Sequence, residues 1–245
     1  MTKSQSIKNF IAIIAWFFIT SSLCLADEVA GSIDYKLSYS YFHTQSLHAN
    51  DINLRAGIDN QYLWLAAYQE NPSHFDQIRG GYERTDRFNY FKIISSLQVA
   101  THGFLGAALN AEVGSTFYAL LGYGRTNLKP YDNLNFDPND SFTLGAGWHV
   151  NEGLNISLYE VQDNRVIDGQ RNTHFVMSKA LPEEQKFVLD VFSKSGPPDS
   201  QGQSIHAIGA SITYDIRRYF LRIAYDPKVN FSQQDMARVS LGLHF

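Results

Sequence analysis

Apolar and polar residues alternate with a period of two along most of the chain. Ile33, Tyr35, Leu37, Tyr39 and Tyr41 alternate with Asp34, Lys36, Ser38 and Ser40. Such a period sends successive side chains to opposite faces of a β-strand. The pattern returns at Ile52, Leu54, Ala56 and Ile58, set against Asn53, Arg55 and Gly57. It returns again at Ile78, Gly80 and Tyr82 against Arg79, Gly81 and Glu83, and in 89–100, where Lys92, Ser96 and Gln98 form the polar face. The clearest internal strand carries Phe142, Leu144, Ala146, Trp148 and Val150 on one face. Further segments lie at 116–126, 154–159, 174–180, 187–191, 208–214 and 219–225. The stretch 61–69 is apolar on both faces. The stretch 104–114 has the Ala and Leu of a short helix, but Gly103, Gly106 and Gly114 count against one. The last strand sets Val239, Leu241, Leu243 and Phe245 against Arg238, Ser240, Gly242 and His244. Together these segments make about 14 strands, or 12 if the weakest are merged.

The connections differ in kind. Asp59-Asn60, Asn151-Glu152-Gly153 and Pro182-Glu183-Glu184 are tight polar turns. Other connections run longer: 44–51, 127–140, 164–171, 195–203 and 226–235. Short and long connections largely alternate along the chain, so one end of the sheet carries turns and the other carries loops.

The chain opens with Lys3 and Lys8, then an apolar run from Phe10 to Ile19, then Cys24-Leu25-Ala26. This is the pattern of a secretory signal peptide, with cleavage expected after Ala26. The run is too short to span a bilayer as a helix, which takes about 20 apolar residues. Cys24 is the sole cysteine, so residues 27–245 have no disulfide, thiolate metal site or cysteine nucleophile. Removing the two lysines lowers the formal charge from −4 to −6, which argues against nucleic acid as a partner.

A signal peptide, period-two strands and a closing strand ending on Phe245 resemble the bacterial outer-membrane β-barrel, porin-like proteins. In that class the terminal aromatic and its alternate apolar neighbours are read by the insertion machinery. The resemblance implies an all-β fold, a closed antiparallel transmembrane β-barrel with short periplasmic turns and longer outer loops. It implies location in the outer membrane, contact with its lipid and lipopolysaccharide, and assembly through the barrel-assembly machinery and periplasmic chaperones. Val239, Leu241, Leu243 and Phe245 would be the insertion signal. An aromatic content of 14% suits the two interfacial girdles of such a barrel. The whole of 27–245 reads as one domain, since no linker or composition break divides it.

Closure follows from the cost of unpaired backbone in lipid, several kcal/mol per group. The apolar faces meet lipid and the polar faces line the lumen. That alternation makes Arg55, Arg79, Glu83, Lys92, Asp190, Arg222 and Arg238 the candidates for lumen-lining, selectivity-setting residues. Interior glycines are expected to keep large side chains out of the lumen. The leading function is a small passive channel for small polar solutes. The alternative is a non-conducting structural or adhesive barrel that acts through its outer loops.

Two other chemistries bear weighing. Asp132, Asn135, Asp137, Asn139 and Asp140 could supply oxygen ligands to Ca²⁺, although Asn, Asp and Pro serve turns at least as often. The same loop could instead fold inward and narrow the lumen. His174 and Ser178 share a strand face, which suggests a lipid-modifying hydrolase. Four residues along a strand separate them by about 13 Å, while a Ser–His pair needs about 3 Å. The expectation is therefore no enzyme and no cofactor.

Overall fold

The computed structural model describes residues 33–132, 137–199 and 202–245, and Ile33–Phe245 forms one compact unit. The expected signal peptide lies outside the described residues. The chain runs through β1 (Asp34–His43), β2 (His48–Ile58), β3 (Gln61–Asn71), β4 (Asp76–Phe88) and β5 (Phe91–Ala100). It continues through β6 (Phe104–Gly114), β7 (Phe117–Thr126), β8 (Ser141–Asn151), β9 (Leu154–Asp163) and β10 (Arg171–Leu181). It ends with β11 (Gln185–Gly196), β12 (Ile205–Ile216), β13 (Tyr219–Asp226) and β14 (Met236–His244). Each strand pairs antiparallel with its sequence neighbours, and β1 pairs with β14, so the 14 strands close into a barrel. Phe245 continues the seam, exchanging two 2.9 Å backbone hydrogen bonds with Tyr35. Closure removes both sheet edges.

The period-two pattern sets what faces where. Leu63, Leu97, Leu109, Leu144, Leu158, Ile208, Ile223 and Leu241 point outward and are exposed, as lipid-facing residues of a barrel are. One aromatic belt, Tyr39, Tyr41, Tyr123, Phe142, Phe175 and Tyr225, lies toward the end bearing the long loops. A second, Phe88, Tyr90, Phe117, Trp148, Tyr219 and Phe245, lies at the end bearing two-residue turns. Aromatics of this kind settle at membrane interfaces, where one part of the ring is apolar and the rest wet. Among the described residues no helix is long and apolar enough to cross a membrane; this barrel crosses with its strands.

Several strands outrun their sequence patterns. β2 starts at His48, inside what reads as loop, and β11 extends to Gly196. The added residues, such as Asn50, Asp51, Ser193 and Lys194, are polar on both faces. Strand ends that rise past the lipid belt have water outside them, so nothing selects an apolar outer face there.

The glycines act differently from expectation. Each of several inward glycines lies beneath an aromatic ring from a neighbouring strand: Gly57 under Tyr62, Gly81 under Trp64, Gly147 under Tyr118, Gly209 under Phe192 and Gly242 under Phe220. They do not exclude large side chains from the lumen. They give rings a flat place on the wall, since a Cβ on Gly81 would stand 2.5 Å from Trp64.

Candidate functional site: the barrel lumen

The inward face of β1, β2, β3, β4, β5, β13 and β14 surrounds a cavity of ≈ 360 Å³. Its walls hold Lys36, Arg55, Arg79, Arg222 and Arg238 against Asp51 and Glu83. Ser38, Ser40, Asn53, Ser96, Gln98 and Ser240 add hydrogen-bonding groups, and Trp64, Tyr131 and Phe220 add ring faces. Five of the seven expected lumen residues, Arg55, Arg79, Glu83, Arg222 and Arg238, are brought together here. Lys92 also points inward but stands apart, paired with Glu112 at 2.6 Å. Asp190 holds His174 instead, at 2.9 Å. Lys36 and Asp51 complete the charged wall. The alternation in β1 was the signal for Lys36; Asp51 gave none, since its stretch read as loop.

The cations are held in different ways. Arg79 forms a buried ion pair with Asp51, the side chains 4% and 7% exposed. Arg55 approaches Glu83 only to 4.0 Å and lies over the Tyr62 ring. Arg222 donates from Nε to Thr213 Oγ1 at 2.8 Å. Lys36 sits 3.9 Å above the Phe220 ring. Arg222, Arg238 and Lys36 come from the adjacent strands β13, β14 and β1, so the barrel seam is the cationic wall.

The outer end of the cavity is bounded by the described parts of the connection after β7, residues 127–132 and 137–140. Gln77 Nε2 donates to Pro130 O at 3.0 Å and accepts on Oε1 from Asp132 N at 3.1 Å. Arg79 Nη1 donates to Asp132 O at 3.1 Å. The Tyr131 ring stacks on Phe104, centroids 4.0 Å apart. Farther along, Asp137 Oδ1 meets His174 Nε2 at 2.9 Å and accepts from Asn172 Nδ2 at 3.1 Å. β4 and β10 are six strands apart around a barrel of 14, so the connection is tied to nearly opposite walls. It folds inward, the third of the options its sequence offered. Burial pushes the Asp132 carboxyl up to about 6, partly offset by Arg79.

This arrangement answers where the other candidates lie. Asp132, Asp137 and Asp140 turn to three separate places; Asp140 accepts from Thr126 Oγ1 and pairs with Arg165 at 3.1 Å. Asn139 sits over Gly124, and Asn135 is outside the described residues. Among the described residues no group of three or more His, Cys, Asp or Glu gathers to hold a metal. His174 has a carboxylate on each ring nitrogen, Asp190 and Asp137, and lies between the rings of Tyr159 and Phe192. It ties Asp137 of the connection to the wall.

Two features beyond the cavity were not foreseen. Phe42, Ala49, Tyr68, Phe192, Ala224 and Met236 pack as an apolar cluster inside the outer half of the lumen, with Leu47, Phe75 and Val229 against it. Beside it Lys194 Nζ reaches Asp226 at 2.7 Å, both side chains 0% exposed. On the outer side of the inward connection lies a second cavity of ≈ 340 Å³, lined by Asp137, Asp140, Asp163 and Asp199 with Lys129. Tyr131 lines both cavities. The inner chamber is thus basic and the outer one acidic.

No family model and no curated protein matches this chain. Solved structures do. Omp33, an outer membrane protein of Acinetobacter baumannii, is 10% identical over 86% of this chain and 98% of that one, with a TM-score of 0.57. The KdgM porin is 11% identical over 86% and 99%, with a TM-score of 0.47. The NanC porin is 7% identical over 85% and 98%, with a TM-score of 0.48. At such identities the likeness is one of fold alone, carried here by Omp33, and with the closed antiparallel barrel it places this chain among the folds of the bacterial outer-membrane β-barrels.

Proposed function

We propose that this barrel is a small porin-like passive channel of the outer membrane that favours small anionic polar solutes. One observation carries the reading: the cavity walls hold five cations and two carboxylates, beside a row of serine and amide groups. A low-dielectric wall focuses such a charge excess into the aqueous path and raises the local anion concentration. The acidic outer chamber and basic inner one support an asymmetric current under opposite voltages. Insertion by the barrel-assembly machinery, with periplasmic chaperones delivering the chain, belongs to the same reading. It rests on Val239 and Leu241 facing outward on β14 and on Phe245 stacked against Tyr35, centroids 5.6 Å apart.

The packing of the outer half of the lumen favours a second reading, a closed barrel that acts through its outer loops. The apolar cluster and the Lys194–Asp226 pair fill space that an open pore would leave to water. Purified, refolded protein in planar bilayers separates the two. Discrete conductance steps are expected of the channel. A bilayer that stays silent with correctly folded protein would favour the closed barrel.

A further inference from the structure

Away from the lumen, three ligand-type side chains converge at the outer end of β1 and β2. His43 and His48 are directly opposite each other across the hairpin, and both are exposed. Their Nδ1 atoms stand 2.9 Å apart. Face-to-face rings cannot bring two nitrogens that close, since van der Waals contact is at about 3.5 Å. With ring planes only 13° apart and centroids at 4.9 Å, the rings meet edge to edge, nitrogen toward nitrogen. The Tyr41 hydroxyl lies 3.1 Å from the same His48 Nδ1. That nitrogen carries either one lone pair or one hydrogen. It can make a full hydrogen bond to only one of the two neighbours at a time, so the three side chains share one polar point at the exposed rim.

We infer that His43 and His48, with Tyr41 beside them, form a binding site for a divalent transition-metal ion of the Cu²⁺ type. An ion satisfies both ring nitrogens at once. Imidazole nitrogens bind at about 2.0 Å, and two of them 2.9 Å apart subtend an angle of about 90° at an ion once each exposed ring turns its lone pair from the other nitrogen toward the ion. That is the cis angle of a tetragonal site. Copper also stands highest in the affinity order of the divalent first-row ions. The remaining positions face solvent and would carry water, with the Tyr41 oxygen as a third protein ligand. The ion would tie β1 to β2 beside the barrel seam, independently of anything the lumen does.

The test uses the full barrel refolded in detergent, without a histidine tag and in a non-coordinating buffer, titrated with CuCl₂. Wild-type protein is expected to bind one Cu²⁺ per chain, with nitrogen hyperfine structure in its electron paramagnetic resonance spectrum. His43→Gln and His48→Gln are each expected to weaken binding at least ten-fold, and Tyr41→Phe to weaken it less. All three positions are exposed, so the variants should keep the gel-shift behaviour of the folded barrel. The inference is overturned if wild type shows no nitrogen-bound copper. It is also overturned if both histidine variants bind copper as wild type does, which would place the ion at another histidine.

Discussion

Arg79→Met tests the joint between the lumen wall and the inward connection. Arg79 is paired with Asp51, both side chains under a tenth exposed, and its Nη1 also holds Asp132 O. The substitution keeps most of the side-chain volume and removes the charge. It leaves Asp51 without its ion-pair partner in a largely desolvated place, with only the more distant charge of Arg238 acting on it, where a buried pair broken on one side loses about 3–5 kcal/mol. Asp51 also lines the water-accessible cavity, which puts the expected loss at about 3 kcal/mol. The bond to Asp132 O adds about 1.5 kcal/mol or more, as a charged donor does. Removing both partners, Asp51→Leu with Arg79→Met, should recover most of the pair term, because no buried charge is left. Urea unfolding of the refolded barrel in lipid vesicles, followed by tryptophan fluorescence, gives the midpoint and slope needed. If Arg79→Met lies within about 1 kcal/mol of wild type, or the double variant is no more stable than the single one, the joint is not what holds this part of the lumen.

The Asp132 carboxyl, raised to about 6 by burial, makes the docked connection proton-dependent. A raised folded-state value means docking is most stable below pH about 4 and weakens as pH rises through about 6. Hydrogen exchange at Tyr131 and Asp132 should therefore slow on going from pH 8 to pH 5, by more than intrinsic exchange accounts for. Asp132→Asn should flatten that difference; an unchanged difference would mean another group is responsible. Gly81→Ala would place a Cβ 2.5 Å from the Trp64 ring, so the ring must leave the wall at about 1–3 kcal/mol, as overpacking does. Trp64→Ala in the same chain should remove that penalty, and equal penalties in both backgrounds would refute the ring-on-glycine joint.

The fold was legible because lipid enforces a strict pattern. Leu144, Ile208 and Leu241 had to face outward, and each had to alternate with something else; Leu63, between Tyr62 and Trp64, showed no such contrast. Where water replaces lipid the rule lapses, so the strand residues His48 to Asp51 read as loop. The facing of Arg222 was readable too, since the pleat that sends Leu221 and Ile223 outward sends Arg222 inward. The partners of the lumen charges were not. Asp51 and Arg79 lie in different hairpins, and their pairing depends on the stagger of β2, β3 and β4, which alternation leaves open. The ties from Asp137 to His174 and from Pro130 to Gln77 cross the lumen and leave no local signature. The same holds for Lys194 and Asp226, whose meeting depends on the stagger of β11, β12 and β13.

In the proposed channel the seam cations Lys36, Arg222 and Arg238 set the selectivity. The most direct measurement is the reversal potential of the reconstituted protein in a KCl gradient across a planar bilayer. The wild-type barrel is expected to pass chloride in preference to potassium. Lys36→Gln with Arg222→Gln should move the reversal potential toward potassium while leaving the folded yield near wild type, since neither cation has the buried ion pair that Arg79 has. A wild-type channel that prefers potassium, or a reversal potential indifferent to both substitutions, would contradict the account.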